Sequence, residues 1–192
     1  MKKLILILML LTNIKSLAFE KNSVNINAGL GLFSTRGALG FSVEKFFNPN
    51  HAVVGALGID LIGTVSSFGY RYFTDKLNQS DAVWDKCFFY FECDSHMYFG
   101  GAVQYSSKSK ITVKDGALER EYETDAKWLG LTALGFRDVF KNNLTFDLEI
   151  SYRSIFKGGQ HRQISGSLND DTKGVEAGYR SLGYSVGLGY LF

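Results

Sequence analysis

Leu144-Thr145-Phe146-Asp147-Leu148-Glu149-Ile150-Ser151-Tyr152-Arg153 alternates without a break. Its even positions are Leu, Phe, Leu, Ile and Tyr, and its odd positions are Thr, Asp, Glu, Ser and Arg. A period of two with the charges on one side predicts a β-strand with two unlike faces. The chain's last residues repeat the pattern: Leu182, Tyr184, Val186, Leu188, Tyr190 and Phe192 alternate with Ser181, Gly183, Ser185, Gly187 and Gly189. In a soluble sandwich the apolar face turns inward. In a membrane barrel it turns out to lipid and the polar face fills the lumen. Periodicity alone does not choose between the two.

The first residues supply one part of the choice. Met1-Lys2-Lys3 is positively charged, Leu4 to Leu11 is an unbroken apolar run, and Ser16-Leu17-Ala18 offers small residues before a cut ahead of Phe19. This is the pattern of a secretory signal peptide, and its apolar run is shorter than the roughly 20 residues of a spanning helix. Twin arginines and a cysteine at the cut are missing, so the general secretory route is expected and a lipoprotein is not. Residues 1–18 are therefore read as a leader and 19–192 as one domain.

Composition narrows the class. The chain has 21 Gly, 1 Pro, 16 Phe and 10 Tyr with a net charge of +2, and its mean hydropathy is −0.03. No later stretch approaches a spanning helix, and the charge balance points neither to nucleic acid nor to an acidic partner. Aromatics, glycine and near-zero hydropathy suit a barrel with alternating faces.

About eight strands of roughly 10 residues follow, the length a tilted strand needs to cross hydrocarbon. They are placed near 22–33, 37–46, 52–62, 65–74, 97–107, 127–138, 144–155 and 181–192. In 127–138 the two faces are not resolved. Residues 47–50 and 141–143 read as tight turns. The polar segments 108–126 and 156–180 read as long external loops, and 75–96 as an oversized link on the side of the chain ends, or a missed hairpin near 86–92. Gly29, Gly31, Gly55 and Gly58 are expected to ease tight curvature. The predicted fold class is all-β: a closed antiparallel transmembrane β-barrel in an up-and-down meander.

The segment Ser185-Val186-Gly187-Leu188-Gly189-Tyr190-Leu191-Phe192 ends on an aromatic, with another two residues before. Through Gly187, Tyr190 and Phe192 it resembles the assembly signal of Gram-negative outer-membrane barrels. By pattern and length the mature chain resembles the small outer-membrane β-barrel superfamily, such as the membrane domain of outer membrane protein A. The resemblance implies an outer-membrane location, recognition by the barrel-assembly machinery, and contact with outer-membrane lipid and lipopolysaccharide. The large link near 75–96 departs from it.

The alternation assigns Asp60, Arg71, Asp147, Glu149 and Arg153 to the inside. An eight-stranded barrel is just wide enough for side chains to fill, so a lumen plugged by opposed charges is expected, with a proton or ion path as the alternative. Cys87 and Cys93, the only cysteines, are expected to form a disulfide in an oxidising compartment; a metal or redox pair lacks supporting His or Cys-x-x-Cys spacing. Catalytic candidates of a lipid A-modifying kind are His161 with Ser165 and the run Asp94-Ser95-His96, while His51 lies beside a turn. Residues four apart in a loop, or adjacent in sequence, do not orient into a relay, so an enzyme is not expected. No cofactor or metal is expected. Two functional classes remain: a structural or loop-displaying envelope barrel, acting through 108–126 and 156–180, and a small transport or lipid A-modifying barrel. Lateral passage of a small hydrophobic molecule through the wall is a version of the second.

Overall fold

The computed structural model describes residues 22–60, 63–74, 93–115, 118–158, 161–165 and 180–192. The expected leader, 1–18, lies outside them, as do Cys87 and most of the link after residue 74.

The described residues form eleven strands: β1 Val24–Leu32, β2 Leu39–Asn48, β3 His51–Asp60, β4 Gly63–Phe73, β5 Cys93–Ser106, β6 Ser109–Asp115, β7 Leu118–Thr124, β8 Lys127–Phe140, β9 Leu144–Gly158, β10 His161–Ser165 and β11 Ser181–Leu191. Eight of them close a barrel in the order β1-β11-β9-β8-β5-β4-β3-β2. Every neighbour pair is antiparallel, and the seam is β1 on β11, from Asn25↔Leu191 to Leu32↔Tyr184. This is the closed up-and-down meander that the alternation predicts.

The other three strands correct the sequence reading. The segments taken as external loops contain a small sheet of order β10-β7-β6. β6 and β7 form a hairpin that prolongs β5 and β8, with Ser109↔Thr124 at its base. β10 then pairs β7 through His161↔Thr124. The alternation of Lys110, Thr112 and Lys114 with Ile111 and Val113 is short, and the surrounding charge hides it. A second correction concerns β5, which starts at Cys93 rather than 97; the link therefore ends at 92.

The tight turns lie at the end of the barrel that carries both chain ends. At 141–143 the Asn143 amide donates to the Phe140 carbonyl at 2.8 Å, and Asn143 has φ 66°, a left-handed conformation that Asn tolerates better than most residues.

The burial pattern is the inverse of a soluble protein's. Leu182, Phe68 and Leu188 on the outer wall are 72%, 69% and 66% exposed, while Arg36, Arg137 and Arg153 inside are 0% exposed. The even residues of the stretch 144–153 face out, and Thr145, Asp147, Glu149, Ser151 and Arg153 face in and are buried. β8 resisted assignment for a clear reason. Its inward face mixes Leu129, Leu131 and Val139 with Lys127 and Arg137, and its outward face carries Thr132 and Asp138.

Candidate functional site

The barrel interior is built in layers. At the end bearing the termini it is apolar: Phe46, Ala52, Phe73, Tyr98, Val139 and Leu191 pack as one cluster. Phe46 and Phe73 pack at a tilt with centroids 5.1 Å apart, and Phe73 and Tyr98 5.2 Å apart. Arg71 lies 4.5 Å over the Tyr98 ring, and Arg137 5.0 Å over the Phe73 ring. Cation–π contact thus joins this apolar floor to the charged layer above it.

In that layer arginines and carboxylates alternate. Arg137 Nε and Nη2 donate to the two Asp147 oxygens at 2.6 and 2.8 Å, and its Nη1 donates to Glu44 at 2.5 Å. Arg71 bridges Glu44 and Glu149. Tyr98 donates its hydroxyl to Glu149 at 3.1 Å. Nearer the other mouth Arg153 donates to Asp60 at 2.5 Å and lies 4.2 Å over the Phe33 ring. Four arginines, Arg36, Arg71, Arg137 and Arg153, thus share four carboxylates, Glu44, Asp60, Asp147 and Glu149. Bidentate arginine geometry suits such buried pairing.

The lumen is closed from the opposite end by the β1–β2 connection, residues 33–38, which folds inward instead of leaving the barrel. Ser34, Thr35 and Arg36 are all buried. Thr35 donates its hydroxyl to Glu149 at 2.5 Å. Arg36 donates to the Asn27 carbonyl oxygen and, at 3.0 Å, to Ser185 Oγ, and its Nη1 lies 3.5 Å from Asp147. Ser67 Oγ and Gln104 Nε2 donate to the Thr35 and Ser34 carbonyls at 2.9 and 3.2 Å. Positive φ at Phe33 (54°) and Gly37 (76°) makes the inward fold possible.

Inward glycines give this plug its room. A Cβ at Gly58 would stand 1.9 Å from the Arg36 carbonyl oxygen, one at Gly40 2.2 Å from it, and one at Gly29 2.8 Å from Arg36 Nε. At Gly31 it would meet the Tyr184 carbonyl at 2.3 Å. Gly29, Gly40 and Gly58 thus make room for Arg36, while Gly31 lets β11 approach closely. Gly55 faces outward, where a Cβ would meet nothing within 4 Å.

No protein-family model matches this chain, and no curated protein matches it in sequence. Among solved structures the N-terminal β-barrel domain of Pseudomonas aeruginosa OprF is similar, with a TM-score of 0.49 at 15% identity, over 90% of this chain and 98% of that one.

Among the described side chains the catalytic candidates do not converge. Asp94, Ser95 and His96 are consecutive in β5, so their side chains alternate across the wall. Ser95 Oγ donates to Asp138 at 2.7 Å, and His96 Nδ1 lies 3.0 Å from the Thr74 carbonyl. His51 faces outward among Phe47, Tyr70 and Tyr72, with Nδ1 on the Tyr70 hydroxyl. His161 and Ser165 belong to β10 rather than to a loop. Among the described residues no group of three or more His, Cys, Asp or Glu side chains is placed to hold a metal. Of the two cysteines, Cys93 opens β5 and no described cysteine is a free thiol, whereas Cys87 lies outside the described residues. Of the C-terminal motif, Tyr190 faces outward and meets Phe192 edge to face with centroids 4.8 Å apart, and Gly187 faces inward with space that Asn27 and Arg36 occupy.

The sequence reading missed Glu44, Arg137 and Arg36. Glu44 alternates with Val43 and Lys45, and the outward run Leu39, Phe41, Val43 in β2 identifies it as inward. Arg137 sits in the strand whose faces are mixed. Arg36 left no periodic signal because it stands in the connection.

Proposed function

We propose that this chain is an outer-membrane β-barrel with a sealed lumen, acting as an envelope component that presents the β6-β7-β10 sheet to the exterior. The observation that carries this reading is the inverted distribution of polarity: an apolar belt wraps a closed sheet whose centre holds arginine–carboxylate pairs. A closed sheet leaves no edge unpaired, as hydrocarbon demands. Large exposed apolar area on a protein that met only water would be an aggregation hazard.

The leader-like residues 1–18 and the terminal motif Gly187, Tyr190, Phe192 support export and engagement of the barrel-assembly machinery. In this orientation the chain ends face the periplasm and the three-stranded sheet faces outward. A Cys87–Cys93 disulfide suits the oxidising periplasmic side. The paired lumen and the folded plug favour a structural or displaying role over transport, and the dispersed His, Ser and Asp side chains do not favour lipid A chemistry. Planar-bilayer recording on the purified mature chain tests the reading. No large, stable channels are expected, whereas long-lived open channels of uniform size would refute the sealed lumen. Recovery of the chain as a monodisperse, detergent-free monomer would refute the membrane assignment.

A further inference from the structure

On the outer wall most outward positions carry large apolar side chains, but Gly55 on β3 and Ser66 on β4 interrupt them. Together they floor a groove of about 650 Å³ between Phe41, Leu57, Phe68, Tyr105 and Trp128. Its volume is within the range of small-molecule sites, about 300–1,000 Å³. No charged residue lines it.

Strand register turns the groove into a path with a direction. Phe41 pairs Leu57, Leu57 pairs Ser66, Ser66 pairs Tyr105, Tyr105 pairs Trp128, and Trp128 pairs Lys157. The strands β5, β8 and β9 have 14, 14 and 15 residues against 10 in β2 and β3. Counted from the tight turns at the terminal end, Phe41 stands seven residues from Asn48, the end of β2, whereas Trp128 and Lys157 stand 12 and 13 residues from Phe140 and Leu144, the turn ends of β8 and β9. The row therefore climbs from Phe41, within the apolar belt, to Lys157 at the rim away from the termini. There the Tyr105 and Trp128 rings meet at a tilt with centroids 5.2 Å apart, and such aromatic side chains are favoured at a headgroup boundary. Lys157 is exposed, and no ion pair among the described residues engages it.

We propose that this groove binds one phosphorylated, multiply acylated lipid of the outer leaflet, one acyl chain lying over Gly55 and Ser66 and its phosphate meeting Lys157. The inference rests on the outer-membrane reading above, which places that rim at the cell surface. Charge complementarity argues for this occupant: the uncharged floor matches an aliphatic chain, and a cation stands where the chain's anionic head would emerge. The groove is also continuous with the apolar belt that meets lipid on every side.

Native mass spectrometry of the detergent-purified mature chain, with bisphosphorylated lipid A as probe, tests the proposal. The wild type should retain one lipid A per barrel. Lys157→Gln should weaken retention about tenfold, the scale of one lost charge-assisted contact, and should leave binding of a dephosphorylated lipid A unchanged. Gly55→Leu should fill the floor and weaken both lipids alike. Equal retention by wild type and Lys157→Gln would overturn the proposal, as would equal binding of phosphatidylcholine of matched chain length. A dimer in place of the lipid adduct would assign the groove to a second copy and overturn it too. Gel mobility before and after boiling reports whether each variant has folded. Should Gly55→Leu fail to fold, Lys157→Gln at its exposed position still decides. A folded, detergent-requiring barrel without selective binding defeats this inference alone; a detergent-free soluble monomer defeats the membrane reading as well.

Discussion

Replacing Arg137 by Met tests whether the lumen pairs hold the barrel together. The substitution keeps much of the side-chain volume and removes the guanidinium that donates twice to Asp147 and once to Glu44. Removing one partner of a buried pair costs about 3–5 kcal/mol, because the other charge stays buried without it. Here both acids keep some company. Asp147 retains Asn27 at 2.5 Å and Arg36 at 3.5 Å; Glu44 retains Arg71 and, at 3.1 Å, Asn25. The expected loss is therefore at the lower end, about 3 kcal/mol, or more than a hundredfold in the folding equilibrium. Urea-driven folding of the mature chain into detergent micelles or bilayers, followed by tryptophan fluorescence, measures it. The double variant Glu44→Gln/Arg137→Met should recover part of the loss, with a coupling energy of at least about 0.5 kcal/mol. A loss below about 1 kcal/mol, with no coupling to Glu44, would show that the pairs contribute little and that closure of the sheet alone sustains the structure.

Three further outcomes are expected. Gly58→Ala drives a methyl into the Arg36 carbonyl and should destabilise by about 1–3 kcal/mol, while Gly55→Ala, facing open space, should stay within about 0.5 kcal/mol; the same urea titration compares them, and equal effects would contradict the seating of the plug. Shortening 33–38 to a two-residue turn should produce brief, small conductance steps in planar bilayers where the wild type is silent, and continued silence would mean that the ion pairs alone close the lumen. Intact mass of the exported chain before and after reduction and alkylation should reveal a Cys87–Cys93 disulfide through label uptake only after reduction; two thiols labelled without reductant would reject it.

The barrel was legible because its outer face is nearly uniform. Leu182 to Phe192 and Leu144 to Tyr152 announce outward positions, and the inward charges Asp147, Glu149 and Arg153 then follow from parity. Parity failed where the interior itself is apolar. At the terminal end Phe46, Phe73, Tyr98 and Val139 face in, so apolar residues occupy both faces of β8 and Arg137 loses its contrast. Long-range placement failed next. Nothing local marks Ser34-Thr35-Arg36 as buried, because its partners Glu149 and Ser185 are 114 and 149 residues away. The hairpin β6–β7 escaped for a third reason: its charged residues resemble a solvated loop, and its pairing is a property of two segments rather than of either one.

The inward fold of 33–38 ties the beginning of the chain to its end. This connection belongs to the first hairpin, yet Thr35 is anchored by Glu149 in β9 and Arg36 by Ser185 in β11. A nascent sheet of the first four strands therefore owns the stopper and, in Ser67, one of its contacts, but not Glu149 or Ser185. There Glu44 and Arg71 have each other but lack Arg137 and Glu149, and Asp60 lacks Arg153. Such a fragment would hold Asp60 without Arg153 and Arg36 without Asp147, at severe cost if it met hydrocarbon. On the outer-membrane reading proposed above, entry into the bilayer would be coupled to the meeting of β1 with β11, leaving an incomplete chain no halfway state in which to rest.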